Sequence, residues 1–330
     1  MTRVAINGFG RIGRTVLKKL LLNKNLIVVG INDLTDPKTL AHLFKYDSIH
    51  GKFDGTVASA EKAIIINNQT IPVYAEKDPA LLPWKELQVD VVIESTGRFT
   101  KAELAEAHIK AGARKVIISA PGSGNLKSVV LGVNENILDG NEKIISNASC
   151  TTNNAAPMIK ILQDNWGVES AYITTVHAYT GDQNIHDAPH KDLRRARAAA
   201  QSIIPTTTGA AKAVTEIFPD LKGMIGGAGI RVPVIDGSIT DITCILKKDA
   251  TVEAINQKFL EASQGSMKGI IEYTTDPIVS VDIIGNTHSC IFDSMLTSVL
   301  GKMVKVVGWY DNEMGYSTRL AELTALVGKK

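Results

Sequence analysis

The stretch that most constrains this chain lies at its start. Residues 3–7 are a short run of β-formers, and Gly8-Phe9-Gly10-Arg11-Ile12-Gly13 follows at once. Val16, Leu17, Leu20 and Leu21 then recur with the stripe of a helix lying on a sheet. A second strand pattern over 26–31 ends at Asn32-Asp33. Strand, G-x-G-x-x-G turn, helix, strand and terminal acid in this register predict a dinucleotide site. Gly8, Gly10 and Gly13 allow the tight turn and let a pyrophosphate approach the helix N-terminus. Asp33 is placed to accept from the adenine ribose hydroxyls. It would repel a 2′-phosphate, which points to NAD over NADP.

The rhythm continues downstream. Residues 63–66 and 70–73 read as a hairpin across Asn67-Asn68, and 89–94 is a continuous apolar run, as befits a strand buried on both faces. Small residues Ser95-Thr96-Gly97 follow it, where α/β sheets bind ligands. Helix 101–111 and strand 115–119 complete the alternation, which predicts a Rossmann-type, doubly wound parallel sheet. With 330 residues, two domains are expected. We place the nucleotide domain at 1–149 and a catalytic domain at 150–312, where the alternation stops.

That boundary falls beside the second informative stretch, Asn147-Ala148-Ser149-Cys150-Thr151-Thr152-Asn153. A strand feeds this polar turn, and 155–162 reads as a helix. A thiol at or just before a helix N-terminus sits against free backbone N–H groups and the positive end of the dipole, which favour thiolate. Strand 171–176 delivers His177, and a crossover or antiparallel return could bring its imidazole to the sulfur, the pairing that activates a thiol nucleophile. The Cys150 N–H and His177 are both candidate oxyanion donors. The other cysteines, Cys244 and Cys290, fall inside strand patterns and are expected in the core.

Charged and threonine-rich segments follow. His190, Lys191, Arg194, Arg195 and Arg197 make a basic run that reads either as a solvated face or as a phosphate site. Thr206-Thr207-Thr208-Gly209 precedes an alanine-rich helix, as a plain cap or an anion site. Strands near 230–233, 239–246, 278–284, 289–293 and 303–308, with helix 251–263, predict an α+β region with a mostly antiparallel sheet. A C-terminal helix is expected from 318 to 327.

Composition excludes several classes. A net charge of +2 gives no general reason to bind nucleic acid, and the basic run lacks interleaved aromatics. No apolar run is long enough for a membrane helix. Three cysteines, none spaced as C-x-x-C, argue against a disulfide framework or a structural zinc site, and no metal is expected. A strand pattern that begins at the first residues leaves no room for a signal peptide, so a cytoplasmic enzyme is expected.

Four segments together carry a family resemblance: Gly8 to Arg14, Ser149-Cys150-Thr151-Thr152-Asn153, His177-Ala178-Tyr179-Thr180-Gly181-Asp182-Gln183, and Trp309-Tyr310-Asp311-Asn312-Glu313. In this order the chain resembles the phosphorylating, NAD-dependent glyceraldehyde-3-phosphate dehydrogenases from end to end. The resemblance implies Cys150 as nucleophile and His177 as its base, with a thiohemiacetal, hydride transfer to NAD, and a thioacyl intermediate cleaved by inorganic phosphate. It implies Thr180 and Arg231 around the substrate phosphate. It places Ser149, Thr151, Arg195, Thr208 and Gly209 near the attacking phosphate or the aldehyde. Gly8, Gly10, Arg11, Ile12, Gly13, Asp33, Lys77, Ser119 and Asn312 are the implied cofactor contacts. It further implies a homotetramer, with segment 178–201 packing near a neighbour's cofactor, and a C-terminal helix, 313–330, that folds back onto the nucleotide domain.

Three departures stand out. Asn154 occupies a position where relatives commonly have a second cysteine, Lys77 one where they often have arginine, and Ala188 one where some have leucine. Rival readings are erythrose-4-phosphate dehydrogenase, which hydrolyses its thioacyl intermediate, aspartate-semialdehyde dehydrogenase, and a non-catalytic dinucleotide-binding interaction protein.

Overall fold

The computed structural model describes residues 1–329 and divides into two compact units. The first comprises Met1–Val129, Asn136–Ala148 and Ser317–Lys330, and the second Val130–Glu135 and Ser149–Tyr316. The short excursion Val130–Glu135 thus joins the second unit, where a side chain at Gly132 would lie against Ile270.

The first unit is built on a nine-stranded sheet. Thr2–Asn7 lies centrally, with Leu26–Asn32 and Gln69–Tyr74 to one side and Val91–Glu94, Lys115–Ile118 and Ile144–Ser146 to the other, all parallel. The hairpin strands Val57–Ala60 and Ala63–Ile66 extend one edge antiparallel. Asn67 and Asn68 turn between Ala63–Ile66 and Gln69–Tyr74 at positive φ, a conformation asparagine tolerates. Because the chain order reverses at Thr2–Asn7, this strand is a topological switch point. Asn7 lies in register with both Asn32 and Glu94, so three strand ends meet there.

Close packing explains the glycines. A Cβ on Gly13 would lie 2.1 Å from the Gly8 carbonyl oxygen, and one on Gly8 would strike the backbone of Ser95 and Thr96. Gly8 also has φ of +91°, the left-handed region. A Cβ on Gly10, by contrast, would meet nothing within 4 Å. Two glycines therefore let helix Arg11–Leu20 seat on the sheet, and the third leaves the approach open.

The second unit holds an eight-stranded sheet in which five of the seven pairings are antiparallel. Val168–Ala178 runs parallel to Ile225–Val232 and antiparallel to Ser238–Leu246, which pairs in turn with Met303–Tyr310. Helix Cys150–Trp166 buries Met158, Ile159 and Leu162 against Ile242, Val306 and the stacked pair Phe259–Phe292. Cys244 and Cys290 are in this core, as their strand positions predicted.

Several elements differ from the sequence reading. The nucleophile helix begins at Cys150 itself, because the Ser149 hydroxyl caps it by accepting from the Thr152 N–H at 3.0 Å. Pro157 sits inside that helix, and its fixed φ does not end it. The strand expected over 278–284 is the 3-10 turn Ser280–Ile283, held by Asp282 accepting from the Val279 N–H. A strand at Ile271–Thr274 went unread. The last helix, Met314–Gly328, starts before the 318 expected from its apolar face and lies within the 313–330 that the resemblance implies.

Gly13→Ala should destabilise the first unit by about 1–3 kcal/mol, the cost of overpacking against rigid backbone. Urea unfolding followed by tryptophan fluorescence measures this, and an unshifted midpoint would contradict the packing described.

Candidate active site

The second unit brings the predicted thiol and imidazole together. Cys150 is the first residue of its helix, and His177 lies near the end of strand Val168–Ala178. Cys150 Sγ is 3.3 Å from His177 Nε2. His177 Nδ1 is 2.7 Å from the Ala178 carbonyl oxygen, a spacing that fits Nδ1–H donating to it. That tautomer leaves Nε2 with a lone pair toward the thiol. Arg231 stands beside the pair because Ile225–Val232 runs parallel to the histidine strand with Arg231 directly opposite His177. Its Nη1 lies 2.9 Å from His177 Nδ1 and donates to the Ala178 carbonyl at 3.0 Å and to Thr180 Oγ1 at 3.2 Å.

Burial corrects the expectation of a simply acidified thiol. It is the largest influence on Cys150 and pushes its pKa up, while the Arg231 charge and the N–H and hydroxyl of Thr151 pull it back. Burial and then the Arg231 cation hold His177 down at about 3, against the Ala178 carbonyl, which favours the charged ring. At neutral pH the imidazole is a neutral acceptor.

An arginine-lined region adjoins the pair. Arg195 Nη1 donates to Asp182 at 2.7 Å and its Nε to Thr206 Oγ1 at 3.0 Å. Thr180 also bonds Asp182. Burial alone would raise the Asp182 pKa, but the Thr180 hydroxyl and the charges of Arg231 and Arg195 bring it below its ordinary value. Arg195 also lies 3.8 Å from Asp192, which accepts from the Thr206 hydroxyl at 2.7 Å, so the two guanidinium groups face two carboxylates and an incoming anion competes with these acids for their N–H groups. Asp182 was missed as a site residue. Its signal was its place two residues after Thr180, inside a motif already singled out.

The remaining anion candidates fare differently. The Thr208 hydroxyl accepts from the Ala210 N–H at 3.2 Å, and Gly209 is the N-cap of helix Ala210–Ile217. Ser149 is engaged as the N-cap described above. The Thr151 hydroxyl is buried against the Tyr310 hydroxyl at 2.9 Å. The rest of the basic run is laced with acids, since Arg197 pairs with Asp187 at 2.9 Å.

In the first unit, a cleft of about 470 Å³ opens at the carboxyl ends of the parallel strands. Gly8, Gly10, Asp33 and Lys77 line it, along with Asn7 and Thr96. Asp33 accepts from the Phe9 N–H at 2.7 Å and from the Thr35 N–H at 2.9 Å, which fixes its carboxylate at the rim. Gly10 brings no side chain to cap helix Arg11–Leu20, whose first residues include Arg11 and Ile12. The Arg11 side chain pairs with Asp47 at 2.9 Å, and neither Arg11 nor Ile12 is among the residues lining the cleft. Ser119 is half-buried and donates its N–H to the Glu94 carbonyl. Asn312 belongs to the second unit, where its side-chain oxygen accepts from Ser238 at 2.7 Å. An open backbone at Gly10, an uncapped helix start and a carboxylate held at the rim fit a dinucleotide.

Comparison with known proteins agrees with both halves. Residues 2–102 match the family described as glyceraldehyde 3-phosphate dehydrogenase, NAD binding domain, and 149–312 match its C-terminal domain. The chain belongs to the glyceraldehyde-3-phosphate dehydrogenase family. Glyceraldehyde-3-phosphate dehydrogenase of Thermotoga maritima is 57% identical over 332 residues, covering 100% of both chains. That of Clostridium pasteurianum is 53% identical over 326 residues, covering 97% of this chain and 96% of its own. The Mycobacterium avium protein of the same name is 54% identical over 334 residues, covering 99% and 98%. Membership makes the chain an NAD-dependent oxidoreductase with a Rossmann nucleotide domain. Among the described residues, no helix is long and apolar enough to cross a membrane.

Family membership also sharpens the departure at Asn154. It is buried, and its amide donates to the Trp309 carbonyl at 3.2 Å. Here a hydrogen bond stands where a second thiol is common, which leaves Cys150 as the one partly exposed cysteine.

Two outcomes follow from these environments. Native protein at neutral pH should take up one equivalent of iodoacetamide per chain, at Cys150, since burial pushes Cys244 up to about 12 and Cys290 higher still. Peptide mass mapping reads this directly, and labelling of Cys244 or Cys290 would contradict it. His177 has a folded pKa of about 3 against 6.5 for the free group, so the unfolded chain binds the extra proton between those values. This residue therefore lowers stability as pH falls through that window. His177→Asn should lose less stability on acidification from pH 7 to 5 than the parent, measured by urea midpoints.

Proposed function

We propose that this protein oxidises glyceraldehyde 3-phosphate with NAD and inorganic phosphate to 1,3-bisphosphoglycerate, and that Cys150 and His177 carry the chemistry. The observation that supports this most is the 3.3 Å approach of sulfur to an imidazole nitrogen that is neutral and hydrogen-bonded on its far side. Nε2 takes the thiol proton as Sγ attacks the aldehyde carbon, and the imidazolium returns it to the developing alkoxide, giving a thiohemiacetal on Cys150. Bound NAD supplies the hydride acceptor. His177 takes the hydroxyl proton as the C–H bond breaks, leaving a thioester. A phosphate oxygen then attacks the thioester carbon, and Cys150 leaves as thiolate.

Anion binding is assigned to the guanidinium, hydroxyl and backbone N–H donors gathered here. The Arg231 and Thr180 pairing suits the substrate phosphate. Arg195, with Thr208, Gly209 and the Ser149–Thr151 helix start, suits the attacking phosphate or the aldehyde. Because the Thr151 hydroxyl points to Tyr310, its contribution at this helix start is its N–H. The cofactor is assigned to the cleft lined by Gly8, Gly10, Asp33 and Lys77, with backbone from Arg11, Ile12 and Gly13 and with Ser119. Asn312 is assigned to the nicotinamide amide on the family resemblance. Asp33 would disfavour a 2′-phosphate by like charge.

We further propose a cytoplasmic homotetramer acting in glycolysis and gluconeogenesis. Support for association comes from segment 178–201 and its flank, where Ile185, Leu193 and Ile203 stand 75%, 81% and 71% exposed. Apolar residues exposed this far, together on one segment, mark a surface that associates.

Steady NAD reduction with glyceraldehyde 3-phosphate should require inorganic phosphate. Sustained turnover without it would point to hydrolysis, as in erythrose-4-phosphate dehydrogenase. Cys150→Ser should cut turnover by at least about a thousandfold and leave NAD binding, read by fluorescence titration, unchanged. Persistent activity would remove Cys150 from its role.

A further inference from the structure

The site pair rests on a residue that the chemistry above does not use. Tyr310 ends strand Met303–Tyr310 and is buried, 1% exposed. Its hydroxyl is 2.9 Å from Thr151 Oγ1 and 2.8 Å from Thr175 Oγ1. Thr151 follows the nucleophile in its helix, and Thr175 precedes His177 by two residues in its strand, on the same face. The Tyr310 ring meets the imidazole edge to face, with centroids 5.9 Å apart and planes at 78°.

We propose that Tyr310 is a positioning residue for the thiol–imidazole pair, tying the helix that carries Cys150 to the strand that carries His177 and holding the imidazole plane with its ring. This rests on the reading that Cys150 and His177 are the reacting groups.

Three observations converge on it. A phenol hydroxyl has one proton and free lone pairs, so with two threonines in reach it can donate to one while accepting from the other, which bridges the helix to the strand. The Thr151 hydroxyl, which Tyr310 orients, is among the groups that favour the Cys150 thiolate. The same junction is pinned a second time: Asn154, one turn along the helix, donates to the Trp309 carbonyl, and the Trp309 ring N–H donates to Asp293 at 3.0 Å. Helix start and strand end are therefore locked by adjacent residues of the strand, which suits a geometry that must keep sulfur and nitrogen at hydrogen-bonding distance. Losing a few tenths of an ångström there is costly, since the attack needs near-ideal alignment.

Tyr310→Phe keeps the ring and removes the bridge. In single-turnover NADH formation its rate should fall about tenfold, the worth of one net hydrogen bond. KM for both NAD and the aldehyde should stay within about twofold, because those contacts are elsewhere. Thr175→Val should show the same split, and Thr175→Ser, which restores the hydroxyl, should recover the rate. All rates are referred to the folded fraction read from circular dichroism and urea midpoints of each variant, so partial unfolding is accounted for. Unchanged single-turnover rates in Tyr310→Phe overturn the proposal, as does a Thr175→Ser protein as slow as Thr175→Val. His177→Asn, assayed in parallel, separates the two claims. If it too keeps the parent rate, the reading of the reacting pair fails. If it is slow while Tyr310→Phe is not, only the positioning role fails.

Discussion

A thiol and an imidazole 3.3 Å apart in a buried setting face one physical constraint, and the rest of this site answers it. Burial opposes charge on either group taken alone: it raises Cys150 and lowers His177. Proton transfer from one to the other creates opposite charges in contact and no net charge. At an effective dielectric of about 20, that contact contributes about 5 kcal/mol, enough to offset several pKa units. The thiolate is therefore available as part of a pair and unavailable without its partner. Arg231 biases the balance. Its cation favours the thiolate and disfavours the imidazolium, so it helps the nucleophile while keeping His177 ready to release its proton.

The parallel strands Val168–Ala178 and Ile225–Val232 explain why these three residues coincide. Register places Arg231 opposite His177, and the helix from Cys150 packs on the same sheet. In the first unit, parallel strands likewise end together at Asn7, Asn32 and Glu94, and the Gly8–Gly13 contact seats a helix start beside them. Each unit uses aligned strand ends to gather groups that are far apart in the chain. The strain nearby has a place in this scheme: Ala148 takes φ of +53° just before the Ser149 cap, at the bend from strand Ile144–Ser146 into the nucleophile helix.

What could be read from the sequence followed from local rules. Gly8, Gly10, Gly13 and Asp33 were legible because turn, helix and acid lie within one strand–helix–strand unit, and periodicity carries that far. Cys150 and His177 were legible as types, but their contact was not, because it depends on how a crossover packs. Asp182 escaped notice because a carboxylate beside two arginines looks like a surface ion pair until its neighbours are known. The family resemblance places Thr151 near the attacking phosphate or the aldehyde, but no local rule shows that its hydroxyl meets Tyr310, a residue far away in the chain. The strand expected over 278–284 failed for a similar reason: β-branched residues there favour a strand, while Asp282 offers the backbone a local bond that closes a turn.

His177 is the partner that makes the buried thiolate possible. The most direct measurement of this is the pH dependence of iodoacetamide inactivation, compared between the parent protein and His177→Gln. Loss of the imidazole should raise the midpoint for Cys150 by about one unit or more, the effect of removing an opposite charge at contact distance. A midpoint that does not move would mean that the thiol is governed by Arg231 and the helix start alone, and would contradict the account.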